Sequence, residues 1–168
     1  VPISIGIYSA YPVISSRLAA AAGGAYLVGS SKDLVEMREL STAMRNYESA
    51  VQAGKTGSEL AALESRVAVL SSKASPALAK QAGYSSYSSI PPITTLEDDV
   101  SDLNKRVKTL EDNVRAIRKG RASPVGRSLS SLENELKSLR DTLKKSRLAL
   151  DGRQSFKAIG DGFNTLRS

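Results

Sequence analysis

Three stretches of this chain carry residue types that chemistry needs. The first is "GKTG" at residues 54–57. A phosphate-cradling loop requires a further glycine five residues before the Gly-Lys-Thr and a buried strand leading in, so that backbone amides curl round the phosphates. Ser49 occupies that position and a helical pattern leads in, so the stretch reads as a turn. The second is the acidic run Glu97, Asp98, Asp99 and Asp102, whose spacing suits the start of a helix, where the macrodipole favours negative charge. The third is Arg115, Arg118, Lys119, Arg121 and Arg127, which lie between Asp112 and Glu133 with no acid among them. Such a run fits phosphate or an acidic partner; the favoured reading is that cations gather at a helix C-terminus and spill into the next loop. The sequence has no Cys and no His. That excludes disulfides, thiolate nucleophiles, zinc sites with Cys or His ligands and imidazole acid-base catalysis. No His, Cys or glycine-rich loop stands ready to complete a catalytic site, and the expectation is a non-enzymatic protein without cofactor or metal.

The elements that must position these clusters are helical. The apolar residues Ile93, Leu96, Val100, Leu103, Val107, Leu110, Val114 and Ile117 follow one another in steps of three and four, the stripe of a coiled coil. With Val100, Val107 and Val114 at a, Arg106 falls at g and Glu111 at the next e, a placement that pairs the two between parallel chains. Residues 106–111, "RVKTLE", also carry the Arg-h-x-x-h-Glu pattern (h, hydrophobic) of short parallel trimeric coils. β-Branched a with leucine d argues instead for two strands. A second series, Leu129, Leu132, Leu136, Leu139, Leu143 and Leu150, repeats the device with Glu135 and Arg140 flanking it.

The remaining boundaries follow from composition and caps. Residues 1–30 form an apolar, extended anchoring arm in which Ile3, Ile5 and Ile7 alternate with Ser4 and Gly6. Its first 29 residues hold a single charge, Arg17, and lack both the basic start of a signal peptide and the uninterrupted length of a transmembrane helix. Residues 31–75 hold two helical segments, with Met37, Leu40, Met44, Tyr47 and Val51 on one face of the first and Leu60, Leu63, Val67 and Leu70 on one face of the second. Residues 76–92 read as a Pro/Ser/Tyr linker in which Tyr84 and Tyr87 can stack on bases or cover a groove. Then come a coiled coil over 93–119, a basic loop over 120–129, a second heptad helix over 130–151 and a tail over 152–168 with Phe156 and Phe163 free to dock.

The fold class expected is all-α, built of long heptad-patterned helices that self-associate as a parallel oligomer, trimer before dimer, with an extended N-terminal arm. The alternative joins 31–75 and 93–151 as two αα-hairpins in a four-helix bundle. The narrowness of the 93–117 seam favours the first, because bundles present wider apolar faces.

Heptad blocks broken by Gly/Ser/Pro loops, an apolar arm with Pro and Tyr, and the "RVKTLE" match resemble the shafts and anchoring regions of trimeric viral and phage fibre and spike proteins. The resemblance implies a mechanical role in a virion or another large assembly, with residues 1–29 docked in a capsid or baseplate. Two further readings stand beside it. One is a basic helical scaffold binding nucleic acid through residues 115–127; the other is a membrane-penetration protein using residues 1–29.

Overall fold

The structure, a computed structural model, describes residues 26–168, so most of the anchoring arm, residues 1–25, lies outside the described residues. Those described form four helices, α1 (Val35–Gln52), α2 (Gly57–Ala82), α3 (Ile93–Arg118) and α4 (Leu129–Arg167), with short 3-10 turns at Gly29–Asp33 and Tyr87–Ser89. The chain is all-α, as its periodicity predicts.

Local chemistry sets most of the ends. Leu34 precedes the first turn of α1, and its carbonyl takes the Met37 and Arg38 amides at 3.1 Å each. Gly54, at φ +77°, turns the chain out of α1 and into "GKTG", which is a hairpin turn braced by Lys55 and Glu59 at 3.3 Å. Helix α2 ends on Gly83 in the left-handed conformation, with the Tyr84 amide reaching back to the Ala79 carbonyl at 2.8 Å. Pro92 precedes α3, which places Thr94 inside its first turn. Ser128 does cap α4, its hydroxyl accepting the Ser131 amide at 3.0 Å.

Two boundaries differ from those that composition suggests. Helix α2 runs through Pro76 to Ala82, so residues 76–82 of the expected linker are helical. Proline forfeits one backbone bond and crowds the turn before it; here its ring faces solvent while Ala74, Leu78, Ala79 and Ala82 continue the buried face beyond it. Helix α4 likewise continues through Gly152 to Arg167, making the expected tail its second half. At 39 residues it spans about 58 Å.

That length organises the molecule. Helices α1 and α2 form an antiparallel hairpin, and residues 149–167 of α4 lie against it to complete a three-helix base. The base core holds Tyr26, Leu27, Met37, Leu40, Met44, Tyr47, Val67, Leu70, Ala74 and Ile159. Phe156 and Phe163 dock there, the Phe163 ring 5.3 Å from that of Tyr47. The first half of α4 leaves the base and pairs with α3 as an antiparallel hairpin, hereafter the arm, which ends in the loop of residues 119–128. Leu96, at the root of α3, closes a middle cluster with Leu78, Ala79, Ala82, Ile90 and Ala149. Four helices thus pair as two hairpins, and the hairpins share α4.

Candidate functional site

The seam of α3 is filled from within the chain. Leu96, Leu103, Val107 and Val114 are buried, and Ile93, Val100, Leu110 and Ile117 are half-buried. From Val100 to Ile117 the facing residues are Leu129, Leu132, Leu136, Leu139 and Leu143 of α4. The periodicity therefore locates the seam correctly, but its partner here is antiparallel and belongs to the same chain.

A polar ladder fixes that register. Arg118 pairs with Glu133, Glu111 with Arg140, and Arg147 donates to Asn104 at 2.6 Å. The rungs step by seven residues down α3 and by seven up α4, one per heptad. Each is a surface contact worth little singly; together they favour one antiparallel alignment over its slipped neighbours. Glu111 thus finds Arg140 rather than the Arg106 expected of parallel chains, and among the described residues Arg106 has no ion pair.

Where arm meets base, α4 supplies a group of contacts that sequence reasoning missed. Gly152 is fully enclosed because Leu78 of α2 sits where a side chain would begin; a methyl group there would overlap it. On either side, Asp151 accepts from the Ser30 amide at 2.8 Å and the Ser30 hydroxyl at 2.7 Å, and the buried Ser155 hydroxyl accepts the Val28 amide at 2.8 Å. Arg153 donates to the Pro91 carbonyl at 2.9 Å and to the Ile90 carbonyl, with its guanidinium 4.7 Å from the centre of the Tyr87 ring. Tyr87 in turn meets Phe156 edge to face at 5.0 Å. Burial pushes the Tyr87 phenol up, against the opposing pull of Arg153. Tyr84 and Tyr87 pack against the middle cluster, which is the groove-covering role rather than base stacking. The available signal was Gly152 itself, which stands where the expected helix of 130–151 gives way to the expected tail and here marks a close helix crossing.

The basic residues gather at the opposite end of the arm. Arg115, Arg118 and Lys119 occupy the last turn of α3 and its exit, Arg121 the loop, and Arg127 the approach to α4. Three are partnered by exposed acids: Arg115 with Asp112 at 3.0 Å, Arg118 with Glu133, and Arg127 with Glu135. Lys119 and Arg121 have no ion pair among the described residues. Arg115, Arg118, Lys119 and Arg140 also line a cleft with Glu111, Glu133, Val114 and Leu136, so its charge is mixed. The structure thus assembles the whole cationic cluster at one tip, far from the base.

Among the described residues no group of three or more potential metal ligands converges, and no helix is long and apolar enough to cross a membrane. No protein-family model matches the chain, and no curated protein or solved structure is significantly similar to it.

Proposed function

We propose that this chain is a non-enzymatic structural component of a larger assembly, a strut whose three-helix base anchors it and whose two-helix arm holds a basic tip at a distance. The observation that carries this reading is the antiparallel closure of the 93–117 seam on α4. Once the seam is filled within the chain, the arm offers reach, stiffness and a charged end. Residues 1–29 supply the anchor, and a virion or comparable large assembly is the setting. Nucleic acid through residues 115–127 and membranes through residues 1–29 are partners to be tested.

A second reading keeps the seam for other copies of the chain. It is favoured by one feature, the unpaired Arg106 within "RVKTLE", placed to reach Glu111 of a parallel neighbour. In that reading the hairpin opens and the chain assembles as a trimer or dimer. Sedimentation equilibrium of the purified chain at low and high salt separates the two. The strut predicts a monomer with full helicity, or an oligomer whose mass is unchanged by Val107→Asp. A salt-resistant trimer or dimer that this substitution reduces to monomer would overturn it.

A further inference from the structure

The tip is rich in cations, three of them paired with Asp112, Glu133 and Glu135 at its margin and two, Lys119 and Arg121, without an ion pair among the described residues. From Asn113 to Leu132 there are five cations and no acid. At its apex stands Val125, 89% exposed, whereas the other exposed large hydrophobics, Val28, Val35 and Val69, are at 50% or below. The loop holds this valine outward with its own backbone. The Val125 amide donates to Ser123 at 2.9 Å, the Arg127 amide to Pro124 at 2.8 Å and the Arg121 amide to Ala116 at 2.8 Å. Gly120 and Gly126, at φ +71° and +69°, provide left-handed turns on either side, a conformation that costs glycine little. The apex is therefore a pre-formed turn carrying an apolar side chain between Arg121 and Arg127.

Charge is also graded along α3, although the facing half of α4 carries Glu133 and Glu135 toward the tip and Lys144, Lys145 and Arg147 toward the root. The root of α3 carries Glu97, Asp98, Asp99 and Asp102, and its far end carries Arg115, Arg118 and Lys119. An anionic plane would attract the tip, where Lys119 and Arg121 have no ion pair among the described residues, and an end-on approach brings the loop to it first. That orientation puts Val125 first into the interface.

We propose that the tip docks end-on to an anionic lipid surface, with Val125 entering the headgroup boundary and Lys119 and Arg121, which have no ion pair among the described residues, meeting phosphate and carboxylate groups. Cations supply the attraction and the apolar apex a shallow anchor. The inference rests on the strut reading, since it needs the arm to hold the tip clear of the base. Nucleic acid accounts for the cations but gives the exposed valine no role, and the tip has no aromatic side chain on which bases could stack.

The test uses the full chain, co-sedimented with vesicles of phosphatidylcholine alone and with phosphatidylserine mixed in, at low and high salt. The same preparations are titrated with a labelled single-stranded oligonucleotide. Retention is expected only on the serine-containing vesicles and should fall with salt. Arg121→Gln should weaken it about fivefold, the effect of one cation near such a surface. Val125→Gln should weaken vesicle retention and leave any oligonucleotide binding unchanged. Three outcomes overturn the proposal: no retention, retention indifferent to both tip substitutions, or oligonucleotide binding that loses to Arg121→Gln while vesicles are not held. Because these side chains are exposed, native mass and circular dichroism are expected in both variants. A tip that binds nothing on a helical monomer would leave the strut standing, whereas a change of mass with Val107→Asp would sink the strut by itself.

Discussion

The base and the arm are both helical, yet different forces hold them. In the base, three helices surround Met37, Leu40, Met44 and Tyr47, all at 1% exposure or less, with phenylalanines closing from α4. In the arm, two helices share one seam, and its best-buried residues beyond the root, Leu103, Val107, Val114, Leu132, Leu136 and Leu143, still keep 2–8%. Every other seam position is open on one side. A third helix turns a contact line into an enclosed core; without one, alignment must come from polar rungs. The arm should therefore be the part that opens first, while the base should hold the chain's cooperative stability.

The largest test of that contrast is Val107→Asp, which buries an unpaired carboxylate in the seam at a cost of about 4 kcal/mol. Amide exchange should become fast across 100–117 and 129–146 while 37–51 and 67–79 stay protected. Uniform loss of protection would mean that arm and base fold as one unit.

Alkaline pH should strike the base instead. Burial, then the neighbouring Glu64, with the phenol 3.3 Å from its carboxylate, pushes Tyr47 from 10.0 up to about 12. The folded state thus keeps the phenol neutral where the unfolded chain ionises it. The associated stability is whole below pH 10 and is lost as pH rises toward 12, up to about 2–3 kcal/mol. Urea denaturation across that range should show a decline that Tyr47→Phe reduces, leaving the part due to the buried Tyr87 phenol.

The junction comes next. Gly152→Ala should cost about 1–3 kcal/mol through overlap with Leu78, and Leu78→Ala in the same chain should recover part of it. A simple sum of the two losses would show that the close crossing is not the cause.

Smallest is the ladder. Glu111→Lys sets two cations against each other at the Arg140 rung and should cost about 0.2–1 kcal/mol, most at low salt. Adding Arg140→Glu restores the opposite charges in reverse and should return the melting temperature close to that of the parent. If it does not, that rung contributes nothing to the alignment.

The sequence by itself determined where helices lie and which faces they bury. The steps of three and four from Ile93 to Ile117 and from Leu129 to Leu143 allow one buried stripe each, and Met37 to Val51 allows another, because a helix repeats every 3.6 residues. It also determined the acid-free run from Asn113 to Leu132. Gly152 and Pro76 misled for one reason: both are poor in an isolated helix, and both are tolerated when packing outweighs propensity. Only tertiary structure decided what the seam of α3 lies against, since a heptad stripe presents the same apolar edge to a parallel copy and to an antiparallel neighbour. The choice was made by residues distant in sequence, Glu111 with Arg140 and Arg118 with Glu133, and by the loop of 119–128 that holds them within reach. The tip arose in the same way, from two helix ends that the hairpin brought together.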